Sequence, residues 1–293
     1  MKDMGVEVIR LYDWDPRNDH HPFLDLCRTQ GIGVLVSVSN WFLQPGGGLP
    51  ARDANSEALI RSFSNQAGTD YHVAVVGIVI GNEFDGYSIA DCATFTNSLV
   101  EIENSKFGGY RKVRIGHPLA FIKQGQFPCW HAWGELLPKV SALGQRLFLA
   151  PQTYNTADYL FANAEGSGKG WVEQTWDKYK VPIWFTEIGQ DRTKPNYQTV
   201  VDQQLSACLA YAGQHPEQLL GAWFFGFGDK IWISGTSEGS FGAYSHQRPG
   251  PCTITFSEKD FTHWDVAPNW GTLNVDVLSE TPLHGVVKTR YAG

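Results

Sequence analysis

The sequence predicts an α/β fold, a (β/α)8 barrel of the TIM type that lacks its first strand or is truncated there. Strand and helix patterns alternate from one end of the chain to the other. Their spacing is roughly 35 residues per βα unit between the two most distinctive strands, close to the roughly 31 of an eight-unit barrel of about 250 residues. The first strand is followed by Asp13-Trp14-Asp15-Pro16 rather than the glycine-rich phosphate loop that a doubly wound sheet would carry.

The elements follow in order. Val6–Tyr12 reads as a strand, and Pro22–Gln30 as a helix stopped by Gly31. Gly33–Ser39 is a strand ending in Asn40-Trp41, and Ser56–Ala67 is amphipathic and helical. Val73–Gly81 is an apolar strand that leads to Asn82-Glu83. Ile89–Ser105 is a helix with Ser88 as its N-cap. Lys112–Gly116 is a short strand ending near His117, and Ala132–Leu143 is weakly helical. Arg146–Ala150 is a strand leading to Gln152, Tyr154 and Asn155. Trp171–Tyr179 is a helix, and Val181–Thr186 is the strand that carries Glu187. Thr199–Gly213 is a long helix, and Leu220–Phe225 is the last of seven strands.

An eighth strand and helix would have to precede Met1–Gly5. A truncated gene model, an incomplete barrel and a returning C-terminal segment each account for the shortfall. All 293 residues read as a single domain, with residues 252–293 an extension that packs on the barrel. That extension holds strand-like pieces at Thr253–Phe256 and Gly271–Val277 and ends in Pro282–Ala292. The stretch from Gly226 to Pro251 is rich in Gly and Ser and would overhang the C-terminal ends of the strands.

Composition narrows the function. Hydrophobic residues make up 42% and charged residues 18% of the chain, as in a soluble globular protein, and no apolar run reaches the roughly 20 residues of a membrane span. A net charge of −7 argues against nucleic acid as a partner. The five cysteines (Cys27, Cys92, Cys129, Cys208 and Cys252) show no metal spacing and read as small structural hydrophobes. No metal or organic cofactor is implied. No signal-peptide pattern precedes the first strand, and no Asn-x-Ser/Thr acceptor occurs.

Two glutamates stand out. Glu83 and Glu187 each close an apolar run that reads as a buried parallel strand. Burying a carboxylate is costly, so a strand tip is an unusual place for one unless it faces a polar site. A pair of acids aimed at one pocket is the equipment for cleaving or transferring a glycosidic bond. On that reading Glu83 is the general acid/base and Glu187 the nucleophile, and apolar surroundings would raise the pKa of Glu83 as its task requires. A solvated loop glutamate at 83 and a helix-leading acid at 187 are the plain alternatives. Asn82 would hydrogen-bond a sugar hydroxyl. Asp13, Asn40 and His117 are strand-tip polar residues suited to sugar hydroxyls. Trp223 and Phe225 lie on the last strand, where one ring should face the site. Trp14, Trp41, Trp130, Trp133 and Trp232 fall in or near loops and could present flat faces to a pyranose.

The GNE and FTE motifs, three βα units apart, resemble the retaining glycoside hydrolases whose catalytic glutamates lie on barrel strands four and seven. The segment VIRLYDWDPRNDHHPFLDLCRTQGIGVLVSVS is similar to the β-1,3-glucanosyltransferases of fungi and, more distantly, to plant-type β-1,3-glucanases. VPIWFTEIG resembles their nucleophile strand, and WGTLNVDV a short strand after their last barrel strand. The resemblance implies a double-displacement hydrolase or transglycosylase acting on a β-linked glucan, with the β-1,3 linkage favoured, an oligo- or polysaccharide substrate, and an extracellular setting. It makes Val6–Tyr12 the second barrel strand. It matches Arg10 and Tyr12 to the second-strand pattern and Tyr154 to a tyrosine that hydrogen-bonds the nucleophile. For Arg10 a buried structural ion pair is an equal alternative. The last strand departs from the family, ending Phe224-Phe225-Gly226-Phe227-Gly228-Asp229, which bears on transfer activity and substrate. A catalytically weak or inactive carbohydrate-binding barrel is the rival reading.

Overall fold

The computed structural model describes residues 1–43, 48–83, 88–229, 237–247 and 277–292. Seven parallel strands form one sheet in sequence order: β1 (Val8–Arg10), β2 (Gly33–Val38), β3 (Val75–Ile80), β4 (Arg114–Ala120), β5 (Leu147–Thr153), β6 (Ile183–Ile188) and β7 (Leu219–Phe224). Helices α1 (His21–Thr29), α2 (Gly48–Ser62), α3 (Ile89–Lys106), α4 (Trp130–Leu136), α5 (Ala157–Phe161), α6 (Trp171–Tyr179) and α7 (Tyr197–Gln214) lie between them, and α8 (Pro282–Tyr291) follows. The sheet curls into a nearly closed α/β barrel. Among the described residues β1 and β7 share no ladder, and side chains span the seam: Arg10 reaches the Thr186 carbonyl at 3.2 Å.

The two faces of the sheet can be read residue by residue. Val34, Val36, Val38, Ile78, Ile80, Leu147, Leu149, Ile183 and Phe185 point outward into the main core beneath the helices. Leu35, Val79, Phe148, Ala150 and Trp223 form a second cluster, with Val8, Trp184 and Leu220 at its margin. This is the barrel lumen, filled by the alternate residues of the same strands, as the period of two requires. Gly116 belongs to that inner face. A β carbon there would sit 2.3 Å from the Phe148 ring, so its absence makes room for that ring in the lumen.

Several boundaries differ from the sequence reading. The fourth strand runs on to Ala120 and the fifth to Thr153. The predicted helix over Ala132–Leu143 is a short helix followed by 3-10 turns. In the C-terminal region Tyr244–Gln247 pairs antiparallel with Val277–Glu280, apart from the barrel sheet. The expected strand at Thr253–Phe256 lies outside the described residues, as does Gly271–Val277 except for Val277. The final segment forms α8, which packs on α7 and on the 3-10 turn Lys2–Met4. From α8 the Tyr291 hydroxyl accepts from the Phe224 N–H and lies 3.1 Å from the Ala222 carbonyl, to which it donates. It thereby satisfies the outer edge of β7.

Candidate active site

The polar residues gather at the C-terminal ends of the strands, where barrels of this type carry their chemistry. Strict alternation would place Glu187 outward beside Phe185. Both Phe185 and Ile188 pack in the outer core although they are three positions apart, and the β6–β7 ladder shifts register between them. An extra residue is therefore accommodated there, and the carboxylate turns inward. Irregularities of this sort re-aim side chains next to sites.

Glu187 is buried and receives several donors. Arg10 Nη1 donates to Oε1 at 3.0 Å, and both side chains of this ion pair are almost fully covered. Gln152 Nε2 donates to the same oxygen. The Tyr154 hydroxyl donates to Oε2 at 2.8 Å. Arg10 Nη2 and Gln152 Nε2 each donate to Asn82 Oδ1, both at 2.6 Å. Asn82 is held in turn by Asn40: Asn40 Nδ2 donates to the Asn82 carbonyl at 2.8 Å, and the Asn82 N–H donates to Asn40 Oδ1 at 2.7 Å. Four strand ends, those of β1, β3, β5 and β6, are thus tied into one network, and β2 braces it from behind.

Glu83 follows Asn82, exposed and with a φ of 49°. A non-glycine residue in the left-handed region costs about 1 kcal/mol and is found disproportionately at functional sites. Its exposure differs from the apolar surroundings expected of it. Its charge nevertheless reaches the same hydroxyls as that of Glu187. Burial pushes the Tyr12 and Tyr154 phenols well above their ordinary range, and the carboxylates of Glu187 and Glu83 both push further in that direction. For Tyr12 the guanidinium of Arg10, 4.5 Å from the ring centroid, pulls the other way.

An aromatic wall flanks the carboxylate. Phe225 meets Tyr12 and Tyr154 edge-on, with ring centroids 6.1 Å apart in each pair, and Phe241 lies 5.1 Å from both Tyr154 and Phe225. Asp13, on the adjacent tip, accepts from Ser39 Oγ at 2.7 Å and is otherwise turned to solvent.

Two expected site residues lie elsewhere. His117 is inside β4, not at its tip. It points outward and is buried against α3, with Nε2 2.9 Å from Thr96 Oγ1. Thr96 donates its own proton to the Cys92 carbonyl, so the histidine is the donor of the pair. Burial drives its pKa down to about 3 and keeps it neutral. Trp223 is in the lumen cluster, its ring 4.1 Å from that of Trp184, so Phe225 is the ring of this strand that reaches the site. Of the tryptophans read as sugar platforms, Trp14 and Trp133 are buried, Trp130 is half-buried, and Trp41 is 63% exposed. Trp232 lies outside the described residues, as does Cys252; the other four cysteines are buried free thiols. Among the described residues no three His, Cys, Asp or Glu side chains gather as a metal site would need.

Gln152 and Phe241 were not singled out in the sequence. Gln152 stands two residues before Tyr154, on the same face of one strand, which is the signal that could have found it. Phe241 comes from a Gly/Ser-rich loop with no periodicity to read.

No family model matches the chain. It is 22% identical to the 1,3-β-glucanosyltransferase GAS5 of Saccharomyces cerevisiae over 227 residues, which is 72% of this chain and 45% of the relative. It is likewise 22% identical to the 1,3-β-glucanosyltransferase PGA4 of Candida albicans over 229 residues, 72% of this chain and 48% of that one. The chain spans about half the length of these relatives. Among solved structures it is similar to Saccharomyces cerevisiae Gas2p in complex with laminaritetraose and laminaripentaose, with a TM-score of 0.62 and 15% identity over 99% of this chain and 56% of that one. A glucosidase from Croceicoccus marinus superposes with a TM-score of 0.53 at 14% identity, over 77% of this chain and 54% of that one. The fold is therefore the α/β barrel of these glycoside-active proteins. In sequence the likeness is to 1,3-β-glucanosyltransferases, as the strand motifs suggested.

Proposed function

We propose that the protein is a retaining glycoside hydrolase or transglycosylase acting on a β-linked glucan, with the β-1,3 linkage favoured by its relatives. The observation that supports this reading is a buried carboxylate, Glu187, fixed at the strand ends beside Asn82, which Glu83 follows. Glu187 is fixed by Arg10, Gln152 and Tyr154, while Glu83 follows Asn82 on a neighbouring tip and acts on the same tyrosines. In the first step Glu187 attacks the anomeric carbon. The bond to the leaving sugar breaks, and its oxygen takes a proton from Glu83. In the second step water or another sugar hydroxyl gives its proton back to Glu83 and displaces Glu187, which regenerates the carboxylate and retains the configuration. Asn82, Asp13 and Asn40 are the polar groups placed to meet or support sugar hydroxyls, and Tyr12 and Phe225 offer ring surface beside the carboxylate. The substrate is an oligo- or polysaccharide, and an extracellular setting is part of the same proposal. Among the described residues no helix is long and apolar enough to cross a membrane.

One observation favours a second reading. The exposure of Glu83 leaves its carboxyl without the apolar environment that suits an acid, and a carbohydrate-binding barrel with weak or no turnover would tolerate this. Product analysis on a panel of β-glucans and mannans, with Glu83→Gln and Glu187→Gln alongside, separates the two. The enzyme reading requires sugar release that each variant loses. Oligosaccharide binding without release, unchanged in Glu83→Gln, overturns it in favour of the binding protein.

A further inference from the structure

We infer that Gln152 is a positioning residue of this site, the neutral donor that sets the Glu187 carboxylate and the Asn82 amide in a fixed relation. The inference rests on reading Glu187 as the nucleophile.

Gln152 lies opposite Glu187 in the ladder between β5 and β6, so the backbone itself brings the two side chains level. The residue is 3% exposed. One nitrogen serves two acceptors, Asn82 Oδ1 at 2.6 Å and Glu187 Oε1. These acceptors decide which way the amide faces, because the reverse orientation would set its oxygen against two others. The consequence is visible at the other end: Gln152 Oε1 is buried with no hydrogen-bond partner among the described residues. A buried polar atom without a partner costs folding free energy. A side chain chosen for stability would avoid that cost; one chosen to hold two acceptors in place accepts it.

The choice of an amide also suits the chemistry. When the bond from Glu187 to the anomeric carbon forms, the carboxylate becomes a neutral ester and the Arg10 ion pair is lost. An N–H donor needs no change of protonation and can hold the side chain in both states. The charged and titratable groups that face Gln152 are Arg10 from β1, Glu187 from β6 and Tyr154 from its own strand, with Tyr12 and Glu83 acting on the same pocket.

The test follows product formation by both hydrolysis and transfer, resolved by chain length, from laminari-oligosaccharides across pH 4–9 for the unaltered chain, Gln152→Leu, the near-isosteric Gln152→Glu and Glu187→Gln. Small misplacements of a reacting group cost up to about 100-fold in rate, so Gln152→Leu should lose about 10- to 100-fold in kcat while KM moves less than about threefold. In Gln152→Glu the new carboxyl faces two oxygens, one of them charged, and its pKa is raised. It donates when protonated and repels Glu187 when ionised, so the alkaline limb of the pH profile should move down by about one unit or more. That limb remains informative even if the leucine variant fails to fold. Unaltered kcat and an unshifted limb in both Gln152 variants, with Glu187→Gln inactive, would overturn the proposal and leave the function standing. Absence of turnover in the unaltered chain, or full turnover in Glu187→Gln, would overturn both.

Discussion

Two buried glutamates, at opposite ends of the barrel, contrast the environment of the proposed nucleophile with that of a structural carboxylate. Glu103, on α3, is 1% exposed. It meets Arg146 through both oxygens, at 2.7 and 2.9 Å, Lys112 at 2.9 Å and the Tyr71 hydroxyl at 2.8 Å. Its partners all precede strands, at the N-terminal end where barrels keep their stability. Burial alone would raise its carboxyl, but Arg146, Lys112 and Tyr71 together outweigh that and hold it below the usual range. Glu187 is 4% exposed and also held by several hydrogen bonds, yet among the described residues it pairs with one cation. Its other hydrogen bonds come from the neutral Gln152 and Tyr154. Two cations with every lone pair engaged quench a carboxylate as a nucleophile. One cation shared with an asparagine, and donors that hold without neutralising, leave it able to attack.

That contrast can be broken from either side. The largest effect should follow Glu187→Gln, a loss of roughly a thousandfold or more in turnover with the fold retained, read by sugar release and circular dichroism. Retained turnover would erase the distinction. Next comes Glu103→Gln, which leaves Arg146 and Lys112 without their counter-charge. Breaking a buried pair in this way should cost about 3 kcal/mol in stability, with turnover per folded molecule unchanged, by denaturant unfolding and kinetics. Tyr154→Phe removes the donor at Glu187 Oε2 and should lower kcat about tenfold or more, with little change in KM. The effect that is smallest at neutral pH concerns His117. Its folded-state pKa of about 3 lies below the ordinary 6.5, so the unfolded chain takes a proton first as pH falls. Stability contributed by the neutral ring is complete above pH 6.5 and is lost towards pH 3, at no more than about 1.4 kcal/mol per pH unit. His117→Gln should flatten this part of the acid dependence of Tm.

Much of the barrel was legible because its strands are buried on both faces and read as apolar runs. Glu83 and Glu187 stood out because carboxylates at the ends of such runs need a reason, whereas Arg10 and Tyr154 were matched through the resemblance of the strand motifs. Two prolines fall in the remainder. Pro118 and Pro151 lie within the parts of the fourth and fifth strands that the sequence reading left out, and proline cannot donate to a ladder. The structure fits both. The β3–β4 pairing stops at Gly116, and the β5–β6 ladder is irregular between Leu149 and Gln152, so neither missing N–H breaks a regular pairing. Ending the strands early put His117 at a tip and left Gln152 named beyond the strand end but without a role. The inward turn of Glu187 was equally invisible, because it depends on a register shift against β7. Trp14 and Trp133 sit in stretches that read as loops or their borders, and only tertiary packing buries them.

The seam between β1 and β7 has a kinetic consequence. Gly5 packs so tightly against α8 that a β carbon would lie 2.3 Å from the Tyr291 carbonyl oxygen, and the Tyr291 side chain completes the edge of β7. This contact joins segments nearly the whole chain apart. Loop closure over such a distance is slow, so the strands must pair through their neighbours before it can form. It belongs to the last stage of assembly, and opening it first gives unfolding a natural starting point.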